Sequence, residues 1–282
     1  MKTYNFDTIV PRRGTDSLKY DRMPPRGRVS EDTLSMWVAD MDLRTADPVA
    51  AALKNLADFG IYGYTEPGDA YRAAVRAWWR ERHSFDFDAR SIIVTPGVVF
   101  ALAQAVRAFS EPGDAILIQR PVYYPFTEVI ADNKRRICNS PLRLTDEGRY
   151  VPDFEDFERR LAEDRPKLFL LCSPHNPVGR VWTKEELRRM GELCAKYDCI
   201  VVSDEIHADF VYAGSRHTVF TTVDESFREN SIVCTSPSKS FNLAGLQISN
   251  IVAEDAALRK RLRDEINAGG YSQANIMGLA AC

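Results

Sequence analysis

Short apolar runs alternate with amphipathic stretches from about residue 91 onward. The apolar runs cover residues 91–95, 115–118, 167–172, 199–203 and 231–235. Runs of this length and composition are typical of strands buried on both faces of a sheet. Residues 98–109 and 183–197 lie between them and have helical periodicity, and Thr183 with Glu186 fits a capping box. The alternation predicts an α/β fold with a mainly parallel sheet.

The beginning of the chain does not share this pattern. It contains Pro11, Pro24 and Pro25 together with several glycines and arginines, which favours an irregular arm outside the sheet. We therefore divide the chain into residues 1–46, which form the arm, and residues 47–282, which form a large domain.

Four loops that follow predicted strands at their C-terminal ends carry candidate functional residues. These residues are Gly97, Asn176, Asp204 and Lys239. Open α/β sheets place ligands at this edge, because the N-termini of the following helices converge there. We therefore expect the four residues to meet in one crevice.

Lys239 and Asp204 together suggest a specific chemistry. A lysine amine can condense with the aldehyde of pyridoxal phosphate (PLP) to form a Schiff base. A carboxylate such as Asp204 can hold the pyridine nitrogen protonated, so that the ring withdraws electrons. Taken alone, Asp204 could equally be a helix cap at the end of a strand.

The other candidates could bind the remaining parts of the same cofactor. The helix start at Gly97, Val98 and Val99 could bind a phosphate through backbone N–H groups, although such turns are also common structural features. Ser236 and Ser238 add hydroxyl donors, or they simply form a polar loop.

Three further residues suit the ring of the cofactor. Asn176 and His207 could hydrogen-bond its phenolic oxygen, and Tyr123 could stack on its face. Each could instead be an ordinary turn or core residue. The joint occurrence of all these residues in chain order is what favours a PLP site.

Composition narrows the possible partners and the compartment. The net charge of -3 and pI near 5.9 give no electrostatic reason to expect nucleic acid or an anionic membrane as partner. No segment suggests a signal peptide or a membrane span, so we expect a cytoplasmic protein. The six cysteines include no CxxC pair; we expect reduced thiols, mostly in the core, and no metal site.

The ordered motifs resemble the fold-type I PLP enzymes of the class I/II aminotransferase superfamily. Within it, residues 36–42, 62–65, 204–210 and 238–247 resemble the MalY/PatB branch of cystathionine β-lyases. The resemblance covers nearly the whole chain. It implies a three-layer α/β/α large domain, and it assigns part of a small domain to residues 1–46.

The resemblance also implies a role for each candidate residue. Lys239 would form the Schiff base, Asp204 would hold the pyridine nitrogen, and Tyr123 would cover the ring face. Asn176 and His207 would bind the phenolic oxygen. The phosphate would be bound by the backbone after Gly97, at Val98 and Val99, by Ser236 and Ser238, and by Tyr64 of a neighbouring subunit. The protein would therefore be a homodimer.

The activity that the resemblance implies is carbon–sulfur β-lyase activity. The enzyme would cleave L-cystathionine or a related thioether amino acid to a thiol, pyruvate and ammonia. The alternatives are a PLP-dependent aminotransferase and a noncatalytic regulator or inactive fragment on the same fold. Gln247 lies eight residues after Lys239, where many aminotransferases of the superfamily have an arginine, and this departure favours the lyase.

The resemblance extends beyond the end of this sequence. Family members continue into a C-terminal small domain, most of which we expect to be missing here. The arginine that binds the substrate carboxylate would lie beyond residue 282 and cannot be assigned.

Overall fold

The computed structural model describes residues 5–22 and 33–282 of the chain. Pro24 and Pro25, two of the residues that suggested an irregular arm, lie outside these ranges. The described part of the arm contains one short helix and no strand. The division at residue 46 stays a prediction.

The strands of the described chain form one large sheet and one small hairpin. Their bounds are β1 Ile92–Thr95, β2 Ala115–Ile118, β3 Arg136–Asn139, β4 Arg143–Leu144, β5 Tyr150–Val151, β6 Leu168–Cys172, β7 Ile200–Asp204, β8 Ser231–Thr235 and β9 Ser249–Val252. The seven-stranded sheet has the order β1-β9-β8-β7-β6-β2-β3, and β4 pairs with β5 in the hairpin.

The α-helices of the described chain range from single turns to about four turns. Their bounds are α1 Leu18–Asp21, α2 Asp47–Phe59, α3 Asp69–His83, α4 Val98–Phe109, α5 Pro125–Asp132, α6 Phe154–Asp164, α7 Lys184–Lys196, α8 Pro237–Ser240, α9 Ala256–Ala268 and α10 Ile276–Ala281. None of the helices in residues 5–22 and 33–282 is long and apolar enough to cross a membrane.

The large sheet is parallel except for one strand. β9 runs antiparallel to both of its neighbours, β1 and β8, and every other pair is parallel. The strands β1, β8, β7, β6 and β2 therefore all end at the same edge.

Helices cover both faces of this sheet. The apolar faces of α4, α5 and α9 pack on one side of the sheet. Those of α6 and α7 pack on the other side, and α3 contributes to a third cluster near β1 and β9. The three-layer α/β/α arrangement expected from the sequence is confirmed.

The sequence pattern located these elements well. All five apolar runs form strands of the large sheet, the helix over residues 98–109 is α4, and Thr183 and Glu186 form the expected capping box at the start of α7. The strands β3 and β9 were not predicted. Five of the cysteines are free and buried, as expected: Cys138, Cys172, Cys194, Cys199 and Cys234.

Candidate active site

Four of the predicted site loops lie along one edge of the sheet. Gly97 follows β1, Lys239 follows β8, Asp204 ends β7 and Asn176 follows β6. Asp204 is in register with Cys172 on one side and Cys234 on the other. Because neighbouring strands lie about 4.8 Å apart, the loops after β6 and β8 flank Asp204 directly.

Asp204 has a buried carboxylate, and few nearby groups stabilise its negative charge. Asp204 is 6% exposed, and its Oδ1 accepts a hydrogen bond of 3.1 Å from Ile206 N. Burial raises the pKa of Asp204 to about 7, and the nearby charge of Glu205 acts in the same direction. The Ile206 bond and the positive charge of Lys239 offset only part of this rise. A cationic group placed beside Asp204 would therefore stabilise its ionised form.

Lys239 lies on α8, the single helical turn that follows β8. Ser236 caps this turn, and its Oγ accepts from Ser238 N at 3.0 Å. The lysine charge is close enough to lower the pKa of Asp204 and to contribute to the lowered pKa of His207. The amine and the buried carboxylate therefore lie near each other.

Asn176 and Tyr123 lie in adjoining loops. Tyr123 N donates to Asn176 O at 2.9 Å, and Asn176 N contacts Cys172 Sγ at 3.3 Å. The Asn176 loop is closed by a backbone bond of 2.7 Å from His175 N to Arg180 O. These bonds fix the loop backbone, so that Asn176 and Tyr123 keep a constant relative position.

His207 lies three residues after Asp204, in the loop that follows β7. Burial lowers the pKa of His207, and the charge of Lys239 lowers it further, so the ring is neutral near pH 7. His207 and Asn176 line one cleft of about 710 Å³. A neutral imidazole and an amide can both hydrogen-bond a phenolic oxygen.

The start of α4 offers backbone donors to an anion. Gly97 precedes α4 in an extended conformation, and no side chain caps the helix. An added Cβ at Gly97 would meet no atom within 4 Å, so the space beside the helix N-terminus is open. The N–H groups of Val98 and Val99 are therefore available to a phosphate.

Ser236, Ser238 and Tyr64 are the other residues predicted to bind the phosphate. Ser236 Oγ donates to Ile248 O at 2.7 Å, and it would have to rotate to donate to a phosphate instead. Ser238 lies in the first turn of α8. Tyr64 is 95% exposed. The roles of these three residues stay predictions.

Asn242 is a site residue that the sequence did not single out for its own role. Its Oδ1 accepts from Met41 N at 2.9 Å, and its Nδ2 donates to Met41 O and Leu43 O at 3.0 and 2.9 Å. Thr45 Oγ1 adds a bond of 2.8 Å to Phe241 O. The arm is thus attached three residues after Lys239. One sequence signal could have found this contact, since Met41 and Asn242 lie in two motifs that carry the same family resemblance, residues 36–42 and 238–247.

These features fit PLP at the sheet edge. Asp204 lacks a hydrogen-bonded cation among the described residues, and a protonated pyridine nitrogen would supply one. Lys239 could bind the aldehyde, and the uncapped start of α4 could bind the phosphate.

The raised pKa of Asp204 predicts a pH-dependent stability of the cofactor-free protein. Between the ordinary pKa of 3.8 and about 7, only the folded state holds the Asp204 proton, so the free energy of unfolding falls as pH rises through this window. Above about pH 7 the effect is constant. Between pH 5 and pH 8, the free energy of unfolding measured with urea should fall by about 3 kcal/mol more in the wild type than in Asp204→Asn.

A matched change at the surface controls for this measurement. Asp16 has a side chain that is 95% exposed, and Asp16→Asn should keep the wild-type profile. Equal pH dependence of wild type and Asp204→Asn would contradict the raised pKa.

The chain resembles known proteins over nearly its whole length. It matches the family described as aminotransferase class I and II over residues 37–280. It is 43% identical over 277 residues to the cystathionine beta-lyase PatB of Bacillus subtilis, covering 98% of this chain and 71% of that protein. It is 31% identical over 280 residues to the protein MalY of Escherichia coli, covering 99% of this chain and 70% of that protein.

A solved structure gives the same result. Cystalysin from Treponema denticola, whose crystal structure contains a pyridoxal 5'-phosphate cofactor, superimposes with a TM-score of 0.95 and 38% identity, covering 100% of this chain and 71% of that one. The expected fold-type I architecture and branch are confirmed. The chain belongs to the aminotransferase class I and II family, in the branch that includes PatB and MalY.

Proposed function

We propose that this chain is a PLP-dependent lyase that cleaves the carbon–sulfur bond of L-cystathionine or a related thioether amino acid. The products would be a thiol, pyruvate and ammonia. The observation that carries the proposal is the buried carboxylate of Asp204 beside the amine of Lys239, at the edge where α/β sheets bind ligands. The similarity to PatB, a cystathionine beta-lyase, supports the choice of reaction.

The cofactor and the chain's residues have separate tasks. Bound PLP supplies an electron-withdrawing ring that stabilises negative charge at the substrate Cα. Asp204 keeps this ring cationic by accepting a hydrogen bond from its nitrogen. Asn176 and His207 donate hydrogen bonds to the phenolic oxygen, and Tyr123 covers one ring face. The N–H groups of Val98 and Val99 bind the phosphate, together with Ser236 and Ser238.

Lys239 moves the proton. With the substrate bound, Lys239 Nζ would be free to remove the Cα proton as a general base. The thiolate then leaves Cβ with the electron pair of the carbon–sulfur bond. Lys239 Nζ holds the proton taken from Cα until it donates this proton to the departing sulfur. The released three-carbon enamine reacts with one water to give pyruvate and ammonia.

Transamination is the second candidate, because the family as a whole is described by that activity. An aminotransferase needs a keto-acid acceptor for turnover, whereas the lyase releases pyruvate without one. A noncatalytic role is less consistent with the site, since Lys239, Asp204 and Asn176 are all in place.

We also propose that the protein is a homodimer in which Tyr64 reaches the phosphate of the neighbouring site. Tyr64 lies between α2 and α3, and it is 95% exposed although tyrosine usually buries much of its ring. Phe59, Ile61 and Tyr62 in the same segment are also exposed by more than half. A second copy of the chain would cover this segment and complete both sites.

Pyruvate release from L-cystathionine, with PLP and no keto acid, tests the proposed reaction. Lys239→Ala should lower turnover by at least about a thousandfold, because the chain then lacks both the amine that binds the aldehyde and the base. Lys260→Ala is the matched control, since Lys260 is a surface lysine paired with Asp264 at 2.6 Å. Pyruvate formation by Lys239→Ala at the wild-type rate would exclude the proposed mechanism. Product formation only with a keto acid would favour transamination.

Mixing two inactive variants tests the shared site. Tyr64→Ala and Lys239→Ala subunits, refolded together, should form mixed dimers in which one site carries both changes and the other carries neither. Random exchange should restore roughly a quarter of wild-type pyruvate formation. Activity no higher than the mean of the separately refolded variants would contradict the contribution of Tyr64 to the neighbouring subunit.

A further inference from the structure

A series of buried and partly buried polar side chains begins next to Lys239. Ser240, the next residue in the chain, donates a hydrogen bond from Oγ to Asp209 Oδ2. The other oxygen of this carboxylate, Oδ1, lies 2.9 Å from His83 Nε2. The side chains of His83 and Asp209 are only 7% and 15% exposed. Both carboxylate oxygens of Asp209 are therefore engaged inside the protein.

His83 extends the series toward Asp204. Its ring packs on Trp79 with centroids 4.7 Å apart and meets the ring of His217 edge-on at 5.7 Å. His217 Nε2 lies 2.7 Å from Glu205 Oε2, and Glu205 directly follows Asp204. Contacts thus run without a break from Ser240, next to Lys239, to Glu205, next to Asp204.

The Glu205 end of the series is held rigidly. Its side chain is fully buried, and Oε1 accepts bonds of 2.9 Å from both Ser203 Oγ and Phe220 N. With the contact to His217, both carboxylate oxygens of Glu205 have partners. Asp209 is thereby connected, through His83, to a fixed point in the core.

Asp209 is suited to holding a hydrogen bond. Burial would raise its pKa, but the bonds with His83 and Ser240 and the charges of His83 and Arg82 outweigh burial and hold the pKa below its ordinary value. Asp209 is therefore an ionised acceptor, and charge-assisted hydrogen bonds are the stronger kind.

The helix that carries Lys239 needs such an anchor. α8 has four residues and no buried side chain, and a single helical turn is not stable by itself. Ser236 attaches its start to Ile248 O at 2.7 Å, and the Ser240 bond to Asp209 attaches its end. The position of Lys239 therefore depends on polar contacts at both ends of α8.

We propose that Asp209 is a positioning residue for Lys239, acting through Ser240. The inference rests on the proposed function, in which Lys239 Nζ binds the cofactor and then removes the Cα proton. Without the Ser240 bond, the end of α8 is free to shift, and the distance from Nζ to its target varies. A misplacement of about 1 Å can cost about a hundredfold in rate. Substrate affinity, which depends on other residues, should change little.

Variants of Ser240 test this in the PLP-loaded enzyme. Ser240→Ala should lower kcat by about tenfold, leave KM within about twofold and weaken PLP affinity. It should also reduce the visible circular dichroism of bound PLP, which reports how rigidly Lys239 holds the cofactor. Ser240→Thr keeps the hydroxyl and should restore all of these values. Asp209→Asn should act in the same direction but more weakly, because its amide oxygen can still accept from Ser240.

Ser226→Ala is the matched control. Ser226 Oγ donates to Asp224 Oδ1 at 2.8 Å in the turn before β8, at the opposite end of that strand from α8, so this variant also loses a serine–aspartate bond. It should keep the wild-type kcat, PLP affinity and dichroism. If Ser240→Ala lowers only the thermal midpoint and otherwise behaves like Ser226→Ala, the bond is merely structural and the proposal is wrong.

The readouts separate this proposal from the proposed function. If the wild type binds PLP at Lys239 but releases no pyruvate, the lyase is wrong, while loss of affinity and dichroism in Ser240→Ala still supports positioning. If the wild type releases pyruvate and Ser240→Ala keeps all wild-type values, only the positioning is wrong. Failure of the wild type to bind PLP would overturn both.

Discussion

The burial of the Asp204 carboxylate is the interaction on which the site depends. An ionised carboxylate away from water is costly unless a partner compensates it, and Asp204 has one backbone hydrogen bond and the charge of Lys239 nearby. It cannot move toward solvent, because β7 is paired on both sides and its end is in register with Cys172 and Cys234. The fold therefore holds a carboxylate whose ionised form a bound cation would stabilise, and a protonated pyridine ring is such a cation.

The parallel sheet brings the other groups to this carboxylate. Lys239 and Asn176 follow the two strands that flank β7, and Gly97 follows a strand that ends at the same edge. Further contacts then fix the positions of the residues in these loops. Asn242 attaches the arm near Lys239, and Asp209 connects α8 to His83 and the core. The groups proposed to meet the cofactor and the groups that hold them in place thus come from different parts of the chain.

Much of the fold could be predicted because the central strands are buried on both faces and read as continuous apolar runs. The positions of Asp204, Lys239 and Asn176 followed from strand ends and parallel order. β9 was missed because Ser249 and Asn250 interrupt its apolar pattern and it runs antiparallel. The contacts of Asn242 with Met41 and of Asp209 with His83 join residues 201 and 126 positions apart, and no local pattern encodes such pairs. The role proposed for Tyr64 depends on a second subunit, which no pattern within one chain describes.

Locating the cofactor on the chain tests whether Lys239 holds PLP beside Asp204. The protein would be incubated with PLP, treated with a hydride reductant that makes the link to an amine permanent, digested, and mapped by peptide mass spectrometry. We expect one modified lysine, Lys239, at full occupancy, and a lower occupancy of the same lysine in Asp204→Asn. Modification spread over surface lysines, or an unmodified Lys239, would contradict this expectation.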